Sequence, residues 1–194
     1  MIKEAKTKYA VNELIKKRWS PRSFSDQTIP EEILFSLFEA ASWAASSRNE
    51  QPWRFICGIK GNGENYDKIF STLAEGNQKW AETAPVLVIG CAKTHFDLNN
   101  KPNFHAFHDL GQALANLFIQ AISYNIYTHP MGGFDKDLTK EIFNISEAYE
   151  PVVAIAIGYL GLSENLPDDL KESEEKPRTR NDLGKILFLG DPKL

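Results

Sequence analysis

Four short segments of the chain carry residue types that can bind an anionic or a flat ligand. They are residues 18–22 (Arg-Trp-Ser-Pro-Arg), 46–53 (Ser-Ser-Arg-Asn-Glu-Gln-Pro-Trp), 130–133 (Pro-Met-Gly-Gly) and 176–180 (Lys-Pro-Arg-Thr-Arg). Arg18 and Arg22 flank Ser20, and two guanidinium groups with a hydroxyl supply the charge-assisted donors that grip a phosphate. Arg178 and Arg180 offer the same chemistry near the other end of the chain. A solvated turn is the simpler explanation for either pair taken alone.

The two middle segments are ambiguous when each is considered by itself. Ser46, Ser47 and Asn49 are short polar residues after a predicted helix, where a ligand site and a plain helix end are equally good explanations. Gly132 and Gly133 let the backbone approach a flat ligand closely, although paired glycines more often simply form turns. The segments therefore indicate a site only as a set.

Other residues with reactive side chains give weaker indications. His105, His108 and Asp109 could be metal ligands on one helix, but no second ligand pair follows at a suitable spacing, so we expect surface or packing roles and no metal. Cys57 and Cys91 lie within apolar runs, where a thiol usually behaves as a small buried hydrophobe. That usage suits a reducing cytoplasm, which is the location we expect. Since the chain contains no Gly-x-Gly-x-x-Gly motif, we expect no separate nucleotide-binding domain.

Length and charge limit the class of protein. A chain of 194 residues with 42% hydrophobic content can bury the core of one α/β or α+β domain. The formal net charge of -4 provides no positive field for polyanions, so we expect no nucleic-acid partner. The longest apolar runs, at residues 84–92 and 151–162, are about half of the roughly 20 residues that span a bilayer. Lysines interrupt the N-terminal segment, so we expect neither a membrane span nor export.

Apolar positions at helical spacing predict the helices that position these segments. A short helix is predicted to end near Arg18, and another to begin at Pro30, which suits a first helical turn. Further helices are predicted over residues 66–73, 105–124 and 135–143. The long helix at 105–124 is apolar on more than one face, so we expect it to be covered by the core and by a second subunit.

Continuous or alternating apolar runs predict three strands, over residues 53–59, 85–91 and 152–157. Residues 130–133 are expected to be irregular because of their proline and glycines. Beyond Leu162 the chain is polar and charged, and we expect it to wrap an outer surface.

Taken together, the four segments resemble those of the nitroreductase family of flavoproteins in their order and separation. The most specific part is residues 45–55, which resemble the family's Pro-Ser-x-x-Asn-x-Gln-Pro-Trp signature with Ala45 in place of the leading proline. Residues 18–24 meet the family's Arg-x-Ser-x-Arg-x-Phe pattern in full. The resemblance extends over nearly the whole chain.

The resemblance implies an α+β class and a three-layer fold, with a central mixed sheet flanked by helices. It implies a single domain over residues 1–194 and an intertwined homodimer whose flavins sit at the subunit interface. Residues 163–194 would then form a C-terminal extension that wraps the partner subunit. Association of this kind would be obligate.

The resemblance also implies roles for individual residues toward FMN. Arg18, Ser20, Arg178 and Arg180 would hold the phosphate and ribityl end, and Arg22 would face the pyrimidine edge. Ser46, Ser47 and Asn49 would reach the flavin from the opposite subunit, Asn77 would contact the ring, and the Gly133 amide would lie near the reactive flavin nitrogen. The full set of cofactor-binding residues implied is Arg18, Trp19, Ser20, Arg22, Ala45, Ser46, Ser47, Asn49, Gln51, Asn77, Trp80, Pro130, Met131, Gly132, Gly133, Arg178 and Arg180.

Two positions depart from patterns found in the family. Trp80 stands where some members carry a basic residue near the pyrimidine edge, and Gly132 stands where some carry a glutamate. Either change can alter redox potential or substrate access. Trp80, Phe104 and Phe107 are candidates for lining the acceptor site, although core packing explains the two phenylalanines at least as well.

The implied activity is an FMN-dependent oxidoreductase that works by a ping-pong cycle. NAD(P)H would reduce the flavin and leave, and a nitroaromatic, a quinone or a similar electron-poor small molecule would take its place. We expect no catalytic side chain, because the cofactor itself performs hydride transfer. The alternatives are a flavin-dependent dehalogenase, a flavin-fragmenting enzyme of the same fold, and a flavin-binding protein without turnover.

Overall fold

A computed structural model describes residues 3–191 as helices packed on a central sheet, which confirms the predicted α+β class. The helices are α1 (Glu13–Lys17), α2 (Glu31–Ser42), α3 (Asn65–Thr72), α4 (Glu75–Ala81), α5 (Ala106–Ser123), α6 (Lys136–Phe143) and α7 (Asp168–Glu175). The strands are β1 (Trp53–Ile59), β2 (Val86–Lys93), β3 (Ile126–Met131) and β4 (Tyr149–Tyr159).

The four strands lie in the order β1-β2-β4-β3, and each neighbouring pair is antiparallel. The expected mixed sheet is therefore wrong for the described part of the chain. β2 and β3, which the long helix α5 connects, do run in the same direction, but β4 lies between them in the sheet. Each hydrogen-bonded pairing is consequently antiparallel.

Strand β2 shows why the fold has three layers. Val86 and Val88 pack in the core formed with α2 and α5, whereas Leu87 and Ile89 pack in the core formed with α3 and α4. All four side chains are buried, as expected for a strand covered on both faces. The predicted central sheet with helices on both sides is confirmed.

Two elements differ from the sequence-based expectations. Residues 126–131 form β3, although Pro130 and the following glycines indicated irregular structure; β3 is an edge strand of the described sheet, where a missing N–H is tolerated. The helix predicted over residues 66–73 is followed at once by a second helix, α4, which carries Asn77 and Trp80. Helix α2 begins after Pro30 as predicted.

The C-terminal segment packs on its own chain only in part. Leu166 and Glu174 are buried, but residues 179–187 are exposed. The final positions of the predicted extension, 192–194, lie outside the described residues. Between residues 3 and 191, no helix has both the length and the apolar character needed to cross a bilayer.

Candidate functional site

Arginines from both ends of the chain converge on one cavity. It has a volume of about 330 Å³ and is formed by the segment after α1 together with the end of α7 and the chain beyond it. Six residues predicted to bind the cofactor line it: Arg18, Trp19, Ser20, Arg22, Arg178 and Arg180. Arg18 and Arg180 are thus neighbours, as the flavin hypothesis requires. We call this cavity the cationic pocket.

Backbone carbonyls hold the C-terminal wall of the cationic pocket in place. Nη1 of Arg178 donates to the carbonyl oxygens of Lys3, at 2.7 Å, and Lys16, at 2.9 Å. In return, Nζ of Lys3 donates to the carbonyl of Lys176 at 2.9 Å. The N-terminal segment and the chain after α7 are therefore fastened to each other, which is what brings the distant arginines together.

The arginines of the cationic pocket repel one another. Burial lowers the pKa of Arg18, and the nearby Arg178 and Arg180 lower it further. The pKa of Arg178 is also lowered, by burial and by Arg180. Because an arginine remains protonated at any ordinary pH, this crowding is relieved by a bound anion rather than by loss of a proton. The residues present fit a phosphate group.

Sequence reasoning misses three charged residues of the cationic pocket: Lys3, Glu174 and Lys176. The ammonium of Lys3 lies 4.8 Å from the centroid of the Trp19 ring, a cation–π distance. Glu174 is a buried carboxylate. Only Lys176 has a local signal, since it opens the segment 176–180. The other two reach the pocket through contacts between distant parts of the chain, which no sequence pattern reveals.

A second group of predicted residues meets at the end of β3. Nδ2 of Asn77 donates to the carbonyl of Gly133 at 2.9 Å, and the backbone N–H of Ala74 donates to the same oxygen at 3.0 Å. Pro130, Gly132 and Gly133 are exposed. This backbone is open to a flat ligand, and it is held by α4.

His129 connects the second group to the cationic pocket. Its Nδ1 lies 2.8 Å from the carbonyl oxygen of Pro21, so Nδ1 carries the proton and donates it. Burial lowers the pKa of His129 to about 4, the charge of Arg22 acts in the same direction, and the bond to Pro21 opposes both. The imidazole is therefore neutral at neutral pH, and it ties β3 to the segment that carries Arg18 and Arg22.

Trp80 does not line a ligand surface, which corrects the sequence-based expectation. It is only 2% exposed, and its ring packs against those of Phe24, at a centroid distance of 6.4 Å, and His129, at 4.4 Å. The apolar face of α4 directs it into the core. The side chain of Met131 is likewise buried, so at that position only the backbone can face a ligand.

Residues 45–55, which we call the signature segment, form a third group that is set apart from the cationic pocket of the same chain. Residues Ser47–Asn49 form a short 3-10 turn in which Arg48 and Asn49 have φ values of 56° and 57°, and Gln51 follows with 48°. Residues other than glycine rarely adopt positive φ values, so the backbone here is strained. The strained part is flanked by Ala44 and Trp53, which pack in the α2/α5 core, on the opposite face of the sheet from Trp19.

Two of the hydrogen bonds that maintain the strained segment run from a backbone N–H to a side-chain oxygen. The backbone N–H of Ser47 donates to Oδ2 of the buried Asp109 at 2.9 Å, and the N–H of Gln51 donates to Oγ of Ser46 at 3.0 Å. Asp109 belongs to the first turn of α5. The long helix therefore positions the signature segment through a carboxylate.

Several predicted residues of this region remain exposed in the single chain. Ala45, Asn49 and Gln51 are exposed, and so are Phe104, at 88%, and Phe107, at 50%. Of the two roles considered for these phenylalanines, core packing is therefore wrong for this chain, and both side chains remain available to a ligand or to a partner. Nδ1 of His108 lies 2.9 Å from Oδ1 of Asp109. The part of the chain that the structure describes contains no group of three acidic, cysteine or histidine side chains suited to a metal.

Comparison with known proteins identifies a family. The family model described as "Nitroreductase family" matches residues 15–69 and 58–159 of the chain. A solved structure described as an oxidoreductase containing FMN has 36% sequence identity and a TM-score of 0.91, and the alignment covers 96% of this chain and 94% of that one.

Two curated relatives also match most of their length. An uncharacterized 15.4 kDa protein of Mycolicibacterium smegmatis is 32% identical over 144 residues, which cover 71% of this chain and 95% of that protein. A protein of Methanothermobacter thermautotrophicus, named "Putative NADH dehydrogenase/NAD(P)H nitroreductase", is 30% identical over 157 residues, or 79% of this chain and 78% of that protein.

Proposed function

We propose a ping-pong cycle for this chain, which belongs to the nitroreductase family and is an NAD(P)H-dependent FMN oxidoreductase. In the proposed cycle, FMN held by the protein would accept a hydride from NAD(P)H, and the oxidised NAD(P)+ would leave. An electron-poor small molecule such as a nitroaromatic or a quinone would then occupy the same site and take the two electrons. The cysteines at positions 57 and 91 are unpaired, which suits the cytoplasmic location we propose.

The convergence of Arg18 and Arg180 on one cavity carries the proposal. A phosphate dianion would relieve the repulsion among Arg18, Arg178 and Arg180, and the Ser20 hydroxyl lies within 3.4 Å of Arg18 Nη1 to complete the set of donors. Repulsion among these cations opposes folding unless an anion joins them, and the backbone hydrogen bonds of Arg178 account for only one of the three arginines.

In this mechanism the protein binds and orients while FMN, when bound, supplies the hydride chemistry. The FMN phosphate would be held by Arg18, Ser20, Arg178 and Arg180, which line one cavity. Arg22 would present a positive charge to the pyrimidine edge, where it would favour the negative charge of the reduced ring. Gly133, fixed by Asn77, lets the ring lie close to the backbone because it has no side chain.

We propose that the site is completed by a second subunit. In support, the strained segment with Ser46, Ser47 and Asn49 lies apart from the cationic pocket of its own chain, so a partner chain must supply it if both bind one flavin. The proposed wrapping segment, 163–194, exposes apolar side chains that a partner would cover. They are Leu183, Ile186, Leu187 and Leu189, with exposures of 47% to 95%. An apolar groove of about 690 Å³ between α2 and β1 is a surface of matching character.

Titration of the purified apoprotein with FMN, followed by anaerobic addition of NADPH, tests the function. We expect stoichiometric uptake of FMN and bleaching of the flavin absorbance at about 450 nm. Steady-state rates measured over both substrates should give parallel double-reciprocal lines, as a ping-pong cycle requires. A protein that binds no FMN refutes the proposal, and one that binds FMN but is not reduced by either nicotinamide cofactor is a flavin-binding module.

A further inference from the structure

Glu174 is a buried carboxylate in a pocket whose other charged residues are all cations, and the proposed function assigns it no role. It is 4% exposed and belongs to α7. A carboxylate in this place opposes the binding of a phosphate, and taking it out of water is itself unfavourable. Its position therefore calls for a specific explanation.

Both oxygens of Glu174 face Arg22. Oε1 accepts a hydrogen bond from the backbone N–H of Arg22 at 2.9 Å, and Oε2 lies 3.9 Å from Nη1 of its guanidinium. Oε2 is buried and has no hydrogen-bond partner among residues 3–191. A simple ion pair would contact only the guanidinium of Arg22. Glu174 also fixes the Arg22 backbone, while its negative charge partly offsets the positive charge of the guanidinium.

The position of Arg22 matters because of its neighbours along the chain. The preceding residue, Pro21, accepts the hydrogen bond from His129, so the segment is held from β3 on one side and from α7 on the other. Arg22 itself is only partly buried, and its guanidinium is free to move unless something restrains it. Glu174 restrains it in two ways, by the hydrogen bond to the Arg22 backbone and by the ion pair with the guanidinium.

We propose that Glu174 is a positioning residue that holds Arg22 toward the flavin and partly offsets its charge, so that it sets the relative affinity of the protein for oxidised and reduced FMN. This inference rests on the proposed function. Removal of the negative charge of Glu174 leaves the positive charge of Arg22 without that compensation. This favours the reduced, anionic flavin over the oxidised form. Removal of the whole side chain releases Arg22 and weakens the binding of both forms.

The test compares three variants with the wild-type protein. Glu174→Gln keeps an oxygen that can accept from the Arg22 N–H but loses the charge, and Glu174→Ala loses both. Asp169→Asn removes a charge from an exposed position on the same helix and serves as the matched control. For each we measure the thermal unfolding of the apoprotein, the dissociation constant of FMN by fluorescence quenching, and the midpoint potential of the bound flavin.

We expect Glu174→Gln to raise the affinity for reduced over oxidised FMN about tenfold, a positive shift of about 30 mV in a two-electron midpoint potential. Glu174→Ala should weaken FMN binding about tenfold, and Asp169→Asn should change neither quantity. In an Arg22→Gln background, the shift caused by Glu174→Gln should disappear, because the cation on which it acts is gone.

Three results overturn the inference while leaving the proposed function intact. The first is an unchanged potential in Glu174→Gln, the second is a shift that persists without Arg22, and the third is a loss of thermal stability with FMN binding unaffected, which assigns Glu174 a structural role. If Glu174→Gln does not fold, Glu174→Asp tests the positioning of Arg22 instead, since a shorter carboxylate keeps the charge but loses its hold on Arg22 and should weaken FMN binding. Unchanged FMN binding in that variant overturns the inference. Failure of the wild-type protein to bind FMN at all is a different outcome and refutes the function itself.

Discussion

The carbonyl oxygen of Gly133 accepts a 2.9 Å hydrogen bond from the side chain of Asn77. This contact joins the turn after β3 to α4 and leaves little room at residue 133. A Cβ at Gly133 would lie 2.9 Å from Asn77 Nδ2, whereas a Cβ at Gly132 would meet nothing within 4 Å. Of the two adjacent glycines, only Gly133 is required by its surroundings.

Gly133→Ala should therefore disturb the site where Gly132→Ala does not. The added methyl group must displace Asn77 or the turn, and overpacking of this kind costs about 1–3 kcal/mol. We expect a lower free energy of unfolding in urea and an affinity for FMN that is weaker by roughly tenfold. Gly132→Ala is the control, with a change in stability within about 0.5 kcal/mol. Equal effects at the two positions would show that Asn77 does not constrain the turn.

Arg178 and Arg180 should differ in what they contribute, although they share the cationic pocket. Arg178 donates to two backbone carbonyls, those of Lys3 and Lys16, while the only hydrogen bond of Arg180 within the described chain goes to the carbonyl of the adjacent Thr179. Replacement of either by Gln should weaken FMN binding, because both residues line the cationic pocket, which is the proposed phosphate site. Only Arg178→Gln should also lower the free energy of unfolding of the apoprotein, by about 1–3 kcal/mol.

The measurements are FMN titration at low and high salt and urea unfolding without FMN. Lys185→Gln removes an exposed positive charge outside the cationic pocket and controls for net charge. Unchanged FMN affinity in Arg180→Gln at low salt would remove this residue from the phosphate site.

Asp109→Ala should release the signature segment. The carboxylate accepts the N–H of Ser47, and its loss leaves a strained backbone without that support. We expect a destabilisation of about 2 kcal/mol and weaker FMN binding, measured by urea unfolding and flavin titration. His108→Gln alters the exposed imidazole that contacts the other oxygen of Asp109, and it should change little. A stable Asp109→Ala variant that binds FMN normally would show that the segment holds its shape unaided.

The sequence predicts the arginines of the cationic pocket but not the other charged residues that line it. Residues 18–22 and 176–180 are recognised only as a set, through their resemblance to a family pattern, because a solvated turn is the simpler explanation for either arginine pair alone. They do meet in space. Glu174 and Lys3 have no such signal. Their roles depend on contacts across most of the chain length, which only the folded structure supplies.

Which side chains are buried, and which segments form strands, also depend on packing that the sequence alone does not reveal. Trp80 and Phe104 are both large aromatic residues, yet one is buried and the other is exposed, because the faces of α4 and of the loop before α5 are set by packing. Residues 126–131 form a strand despite Pro130, since the position at the sheet edge overrides local preference. β2, in contrast, is predicted well, because a strand buried on both faces must be apolar throughout.

Stability should fall in mild acid because of His129. Its ring packs on Trp80, and burial lowers its pKa from 6.5 to about 4. In the unfolded chain the imidazole takes up a proton near pH 6.5, whereas in the folded chain it does so only near pH 4. The contribution of the neutral ring is therefore complete above pH 6.5 and is lost as the pH falls toward 4, with a total of about 3 kcal/mol.

Urea unfolding of the apoprotein between pH 7.5 and 4 measures this loss, in steps of about half a pH unit to resolve the slope. His129→Asn removes the titrating group but keeps an N–H that can donate to the Pro21 carbonyl, so its stability should depend less on pH across the same window. The difference between the two curves isolates His129 from the carboxylates that titrate at lower pH. Parallel curves for the two proteins would mean that the imidazole is protonated as easily in the folded chain as in water, and that the contact with Trp80 does not exclude the charged ring.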